Sequence, residues 1–318
     1  MTENNTQSKK DFYIVTNADG EQFLHPKYAD TFRILMDDKD TIRDVLNSVL
    51  DLDDYHEIID LKYEFEKPID IFMPEKNPSR LDVWVSTKDN QFINVEMQNC
   101  THSFILDRMQ LYNAFLTLRG KYEYNRSEAF KSLSEEERKY RYYEIPETVS
   151  IWFCNFPILK SESIFKDYWS FYSENDVMNS DSDKKAQPRF SKNRYIVVDL
   201  PKFIELRKGV VSREDFWLRL ISQGPLKVPK SDDPIFSNAI ERLRVSRVKQ
   251  DFLKTMEAQM SDDIHVREAI EAEYYLKGKA ASDAKNEAAN AARDSQRAEY
   301  LRSQNIPDDV ISAMLAIK

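Results

Sequence analysis

Two alternating apolar and polar runs that flank a short polar turn lie between Arg80 and Gln98. Neighbouring side chains of a β-strand point to opposite faces, so runs of this kind predict a hairpin with one apolar face and one polar face. The predicted apolar pairs span a three-residue turn, Lys88-Asp89-Asn90, and are Leu81 with Met97, Val83 with Val95, and Val85 with Ile93. On the polar face, this register places Asp82 directly opposite Glu96.

Opposed carboxylates are an unusual feature of a strand pair. Residues directly opposite in an antiparallel pair have Cβ atoms roughly 4.5 to 5.5 Å apart, and Gln98 is expected beside Asp82 and Glu96. Solvent, a shared proton or a divalent cation must offset the repulsion between the two charges. Carboxylate oxygens suit Mg²⁺ or Mn²⁺. The alternative is an exposed polar face on an edge hairpin, and the spacing alone does not decide between the two.

The segments around the hairpin alternate between helix and strand patterns. Residues Tyr28 to about Leu50 have helical periodicity, with Asp40 as the predicted N-cap. Short runs rich in β-branched and aromatic residues between Ile58 and Gln98 predict consecutive strands. A second helix is predicted from Phe104 to Leu118, with Gly120 placed to end it.

The later segments complete the predicted domain. Residues 122–143 are strongly charged and are interpreted as an insertion. The elements predicted after it are the strands Thr148–Phe153 and Tyr195–Leu200 and the helix Glu214–Ile221. We therefore predict an α/β fold, with a mixed central sheet flanked by helices, over residues 21–225. A flexible N-terminus, residues 1–20, precedes it.

Residues 226–318 are rich in helix-forming residues and predict a mostly helical C-terminal tail. A seam made mostly of small residues recurs in it at alternating spacings of four and three, at Ile270, Tyr274, Lys277, Ala281, Ala284, Ala288, Ala291, Ser295 and Ala298. This heptad spacing predicts a coiled coil and hence a homo-oligomer. A solvated helical arm is the alternative, because alanine buries little apolar area.

Charge limits how the chain could contact nucleic acid. Its formal net charge of -9 argues against a general attraction to phosphate, since that attraction depends on Lys and Arg. A local contact is predicted at a basic run without acids, which contains Lys184, Lys185, Arg189, Lys192 and Arg194. A solvated loop is the alternative interpretation of this run.

Composition excludes several other kinds of site. Only five Gly and two Cys occur, which disfavours a Gly-rich phosphate loop, a disulfide scaffold and a Cys-based zinc module. No apolar run approaches the ~18 residues that span a bilayer, and the polar N-terminus lacks the apolar core of a signal peptide. We therefore expect a cytoplasmic protein that does not bind a membrane.

The hairpin also resembles a known family. Asp82, followed after an apolar strand by Glu96-Met97-Gln98, is similar to the PD-(D/E)XK nuclease superfamily, in its transposase-like, recombination-promoting branch, where Gln commonly replaces the final Lys. Further segments match in the same order along residues 25 to 225: Asp30-Thr31-Phe32-Arg33, Arg108 and Tyr112, Pro146–Phe153, Asp199-Leu200-Pro201-Lys202-Phe203, and Phe216-Trp217. Two features depart from the family pattern, namely Leu81 in place of Pro before Asp82 and the length of residues 122–143.

The resemblance implies a restriction-endonuclease-like core and Mg²⁺-dependent or Mn²⁺-dependent hydrolysis of DNA, in recombination, transposition or defence. It implies that Asp82 and Glu96 hold the metal and that Gln98 positions the attacking water, because an amide cannot act as a comparable base. Asp30 is a candidate third metal ligand, with stabilisation of a helix N-terminus as the alternative.

Arg108 and Tyr112 are four residues apart and share a helix face, which suits phosphate contact or support of the site. The alternative is an arginine that extends over a packed tyrosine.

A function of a different class is an interaction protein, a nuclease-like fold with little or no activity that works through its helical C-terminal region. The opposed pair Asp82 and Glu96 favours the enzyme, because without a metal the two carboxylates would only repel each other.

Overall fold

The computed structural model describes residues 13–52, 57–68, 80–88, 91–101, 103–180, 186–190, 192–250 and 253, together with positions 295, 298, 299, 302, 303 and 307. The chain divides into two compact units, Met1–Asp262 and Asp263–Lys318. Most of the predicted heptad seam, the first 12 residues, and both Lys184 and Lys185 lie outside the described residues.

A mixed β-sheet forms the centre of the first unit. Within the described ranges it has six strands, in the order β3-β4-β5-β6-β8-β7. The strands are β3 Leu61–Pro68, β4 Arg80–Thr87, β5 Phe92–Gln98, β6 Thr148–Cys154, β7 Lys166–Trp169 and β8 Asn193–Asp199. Strands β3, β4 and β5 are antiparallel, β5, β6 and β8 are parallel, and β7 returns antiparallel to β8. A separate two-stranded sheet joins β1 Ile14–Thr16 to β2 Gln22–Leu24.

Helices flank this sheet and continue beyond it along the chain. They are α1 Ala29–Met36, α2 Lys39–Leu50, α3 Ile105–Arg126, α4 Glu128–Lys131, α5 Glu135–Tyr140, α6 Glu174–Met178, α7 Leu200–Leu206, α8 Arg213–Gln223 and α9 Pro234–Arg242. Short 3-10 turns lie at Pro225–Lys227 and Val245–Arg247. In the part of the chain that the structure describes, no helix is long and apolar enough to cross a membrane.

Each face of the sheet is covered by its own hydrophobic layer. On one face, side chains of α1, α2, α8 and α9 pack against Val83, Val95 and their neighbours. On the other face, α3 packs its buried side against Trp84, Phe92 and Trp152. Burial of each apolar side chain of this size contributes roughly 1.5 to 3 kcal/mol to the stability of the folded state. The predicted α/β fold with a mixed sheet between helices is therefore confirmed.

The predicted hairpin register is present in β4 and β5, where Val83 pairs with Val95 and Val85 with Ile93. The two strands lie inside the sheet, and β5 is buried along its whole length. The alternative of an exposed edge hairpin is therefore wrong. The third predicted pair, Leu81 with Met97, is not part of the ladder between the described residues of β4 and β5.

The segment predicted as one helix from Tyr28 to Leu50 forms two, α1 and α2, with a break at Asp37 and Asp38. The N-cap of α2 is Asp38, whose side chain accepts a hydrogen bond from the Thr41 N–H at 2.9 Å. The predicted cap, Asp40, instead lies in the first turn and forms an ion pair with Arg43 at 2.8 Å.

Gly120 does not end α3, which continues to Arg126. A Cβ atom added at Gly120 would lie 2.8 Å from Cδ2 of Phe92, so glycine here allows the helix to approach β5 closely. The first residues of the predicted insertion thus extend α3, and the following ones form α4 and α5.

Elements on both sides of the predicted limits, residues 21 and 225, pack with the sheet domain. Tyr13, just before β1, is buried in the main hydrophobic core. Phe236 of α9 stacks on Phe216 of α8, with ring centroids 3.8 Å apart, and Ala239 is fully buried. The compact part of the chain therefore includes segments assigned from sequence to the N-terminus and to the tail.

Candidate active site

Two carboxylates meet where the ladder between β4 and β5 ends, beyond the pair Val83–Val95. The backbone N–H of Asp82 donates to Oε1 of Glu96 at 3.0 Å, and the backbone N–H of Met97 donates to Oδ2 of Asp82 at 3.0 Å. Each carboxylate therefore accepts a hydrogen bond from the other strand's backbone. The structure brings Asp82 and Glu96 together, as the register predicts.

Both carboxyl groups are protected from solvent to a degree that alters their protonation. Glu96 is 0% exposed, and Asp82 is partly buried. Burial raises the pKa of Glu96 well above its ordinary value, and the nearby charge of Asp82 raises it further. Burial also raises the pKa of Asp82, against the opposing effects of the Met97 N–H and of Arg33 and Arg108. The site therefore resists carrying two negative charges.

Gln98 and Arg108 extend the site from β5 to the first turn of α3. Gln98 is 6% exposed, and its Nε2 lies 3.5 Å from Oε2 of Glu96. Arg108 donates through Nη1 to Oε1 of Gln98 at 3.2 Å and through Nη2 to the Tyr112 hydroxyl at 2.9 Å. The guanidinium also stacks over the Tyr112 ring, 4.9 Å from its centroid. Arg108 thus contacts Gln98 and also lies over the packed Tyr112. The two interpretations made from sequence describe the same arrangement.

Helix α1 contributes charges near Asp82, from Asp30 in its first turn and Arg33 in its last. Asp30 forms an ion pair with Arg33 at 2.8 Å. The charge of Asp30 raises the pKa of Asp82, whereas that of Arg33 lowers it. Asp30 therefore lies close enough to affect the carboxylate pair. Sequence reasoning quoted Arg33 within the helix signature without assigning it a role.

A buried amide that the sequence analysis did not single out lies on the same face. Asn94 precedes Glu96 by two residues on β5 and is 0% exposed. Its Nδ2 and Oδ1 make no hydrogen bond of good geometry with a described residue, but the amide lies close enough to Glu96 to act as a donor that lowers the pKa of that carboxyl group. Asn94 therefore partly opposes the rise in the pKa of Glu96 that burial and Asp82 cause. The period-two spacing of Asn94, Glu96 and Gln98 was the signal that could have identified it.

The described part of the predicted basic run lies elsewhere. Arg189 forms an ion pair with Asp176 at 2.6 Å, and Arg194 forms one with Glu147. Lys192 is exposed and, like Arg194, lies at the amino end of β8. Since β5, β6 and β8 are parallel, Arg194 is level with Ile93 rather than with Gln98, five residues or ~16 Å further along. These residues are not brought together with the carboxylates.

Among the described residues, no group of three or more His, Cys, Asp or Glu side chains is arranged to hold a metal ion. The oxygen donors that converge are those of Asp82 and Glu96, with Gln98 beside them.

The comparisons with known proteins agree with this geometry. The family model for the PD-(D/E)XK nuclease family transposase matches residues 35–273, which is most of the chain and includes Asp82, Glu96, Gln98 and Arg108 but not Asp30. No curated protein and no solved structure gave a match. With a family match of this length around a mixed sheet flanked by helices, the chain belongs to the PD-(D/E)XK nuclease family of transposases.

Proposed function

We propose that this protein is a metal-dependent endonuclease that hydrolyses DNA phosphodiester bonds, with Asp82 and Glu96 as the metal ligands. The observation that carries the proposal is the buried, opposed pair of carboxylates at the end of the β4–β5 ladder. Two ionised carboxylates at such a position need a cation to offset their repulsion and desolvation. Membership of a nuclease family of transposases supports nucleic acid as the substrate.

The donor set fits a hard divalent cation. Mg²⁺ keeps several waters and binds through one or two carboxylates together with substrate phosphates, so a pair suffices for one ion. Asp82 and Glu96 would supply these carboxylates, and Asp30, near Asp82, is the candidate third ligand. Mn²⁺ has similar ligand preferences. When bound, such an ion activates water as a nucleophile and neutralises charge that develops on the phosphate.

The other side chains position the reactants. The Gln98 amide can accept a hydrogen bond from water or donate one to it, but it has no basic group. It therefore orients the attacking water without removing its proton. Arg108 holds the Gln98 amide through Oε1 and is itself held by Tyr112. Its fixed positive charge also attracts a phosphate to this end of α3.

The test is cleavage of supercoiled plasmid with Mg²⁺ or Mn²⁺ by the native protein and by Asp82→Ala and Glu96→Ala preparations of equal folded content. We expect the native protein to cut and EDTA to stop it. Each substitution should lower the rate at least about a hundredfold, because loss of a metal ligand removes several kcal/mol of transition-state stabilisation. Glu128→Ala, at a side chain that is 92% exposed, is the matched control and should cut like the native protein.

Equal behaviour of all four proteins would overturn the proposal. The remaining candidate would then be an interaction protein that acts through its helical C-terminal region. Recombination or transposition is the proposed setting of the cleavage, and homo-oligomerisation through residues 226–318 and a cytoplasmic location stay predictions.

A further inference from the structure

A group of exposed tyrosines lies at the far end of α3 and on the segment after it. Tyr122, Tyr140, Tyr142 and Tyr143 are 51%, 90%, 68% and 89% exposed, and we call them the tyrosine surface. Isolated exposed aromatic residues are ordinary, but a cluster of them within one short stretch marks an interaction site.

The segments that carry these tyrosines pack together. Lys121 Nζ on α3 lies 3.5 Å from the carbonyl oxygen of Arg141, in the turn that follows α5. Tyr142 and Tyr143 in this turn make an edge-to-face contact, with ring centroids 4.9 Å apart. The exposed rings therefore project from one folded region rather than from independent loops.

Cations accompany the rings. The six residues Arg138 to Tyr143 comprise three basic residues and three tyrosines, with three glutamates directly before them and Glu144 directly after. The guanidinium groups of Arg119 and Arg126 lie over the Tyr122 ring, 5.4 and 5.0 Å from its centroid.

The acidic partners in this region compete weakly for these cations. Lys139 pairs with Glu135 at 2.7 Å, but both side chains are 75% exposed, so water screens the pair. Arg141 pairs with Glu144 at 3.3 Å, with side chains 42% and 34% exposed. A phosphate backbone can therefore replace these surface pairs at little cost.

We propose that the tyrosine surface binds single-stranded nucleic acid, by stacking bases on Tyr140 and Tyr143 and pairing phosphates with the neighbouring basic residues. Exposed aromatic rings combined with cations are the chemistry by which proteins hold single strands without reading their sequence. An acidic protein surface is the alternative partner for the same rings and cations.

The position of the surface relates it to the cleavage site. Tyr122 follows Arg108 by 14 residues on the same helix, which is ~21 Å along its axis. A strand that leaves the carboxylate site along α3 would reach the tyrosine surface. The inference does not depend on cleavage, because binding can be measured without a metal.

The test measures binding of a fluorescein-labelled oligothymidylate by anisotropy, in EDTA and at one low salt concentration. In the double variant Tyr140→Ala with Tyr143→Ala, we expect the dissociation constant to rise at least about fivefold for each tyrosine removed. Phenylalanine at both positions should keep the native affinity, because its ring still stacks on bases. Tyr172→Ala, at a tyrosine that is 44% exposed in another part of the surface, is the matched control and should bind normally. Circular dichroism verifies that all variants are folded.

Two further comparisons separate this proposal from the proposed cleavage. Asp82→Ala should bind the oligonucleotide like the native protein even where it cuts nothing. Arg138→Gln with Lys139→Gln should make binding less dependent on salt, since fewer counterions are released. If the native protein does not bind the oligonucleotide, or if the double alanine variant binds as well as the native protein, the proposal is wrong.

Discussion

Two polar clusters lie on the α3 side of the central sheet, one at each end of its parallel strands. The cluster at the amino end is neutral. Asn193 Nδ2 lies 3.0 Å from Oδ1 of Asn113, 3.0 Å from Oγ1 of Thr148 and 2.6 Å from Oγ1 of Thr117. The Thr117 hydroxyl donates in turn to the carbonyl oxygen of Asn113, at 2.9 Å. The polar groups of this cluster satisfy one another, and the result is a structural link between α3 and the sheet.

The cluster at the carboxyl end has the opposite character. Its carboxylates, Asp82 and Glu96, are held by backbone N–H groups but carry like charges, and burial raises the pKa of both. The amide of Asn94, which makes no hydrogen bond of good geometry with a described residue, only partly opposes the raised pKa of Glu96. Burial of polar groups alone therefore does not identify a functional site. A functional site is indicated instead by buried charges that the protein itself does not neutralise, because a ligand can neutralise them.

The largest effect on stability should come from breaking the neutral cluster. Asn193→Ala removes the shared donor and leaves buried acceptors unpaired, so the free energy of unfolding should fall by about 2 kcal/mol in urea titrations. The cleavage rate per folded molecule should stay unchanged, since Asn193 is level with Phe92, six residues or ~20 Å from Gln98. Asn175→Ala, at an exposed position, is the control. A loss of cleavage without loss of stability would contradict the comparison.

The charged cluster should make stability depend on pH. Because the folded-state pKa values of Asp82 and Glu96 are raised, the folded protein binds more protons than the unfolded chain above about pH 4. Its free energy of unfolding in EDTA should therefore fall as the pH rises through the raised values, by up to about 1.4 kcal/mol per pH unit for each proton.

The matched measurement is the difference in this slope between the native protein and Glu96→Gln, which lacks one of the two groups. The difference is needed because burial lowers the pKa of His25 to about 4, which gives a slope of opposite sign between that pH and the ordinary histidine value. Identical slopes in the two proteins would show that Glu96 ionises freely in the folded state.

The smallest expected effect is a change in the free energy of unfolding whose sign differs between the charged cluster and a buried carboxylate that is fully hydrogen-bonded. At pH 7, Glu96→Gln should raise the free energy of unfolding of the metal-free protein by about 1 kcal/mol, because the amide oxygen still accepts from Asp82 N–H and no second charge is buried. Asp199→Asn is the control at a buried carboxylate that accepts from the N–H groups of Ile158, Leu159 and Lys202. It should destabilise the protein, and a loss of stability in Glu96→Gln as well would remove the contrast.

The register from Val83–Val95 onward and the proximity of Asp82 to Glu96 could be predicted because alternation determines which side chains share a face. The burial of Glu96 could not be predicted in the same way, since alternation does not reveal what covers the polar face. Here α3 covers it, and the spacing of Arg108 and Tyr112 indicates only that they share one side of that helix.

Other differences arise because one residue type serves two purposes. Glycine at a helix end and glycine at a close helix–strand contact look alike in sequence, so sequence alone predicts a stop at Gly120 where the helix continues. Asp38 and Asp40 are both plausible caps, and the break after α1 decides in favour of Asp38. Strand β7 is short and lies in a polar stretch, and it is defined by its pairing with β8 rather than by its own pattern.

The hydrogen bonds that hold Asp82 and Glu96 also bear on when this carboxylate pair forms during folding. Each carboxylate is held by the backbone of the other's strand, so neither has a fixed position before β4 and β5 are joined. In a nascent chain that has made only one of these strands, neither carboxylate is held in place. The carboxylate pair thus forms in the same step that joins β4 to β5.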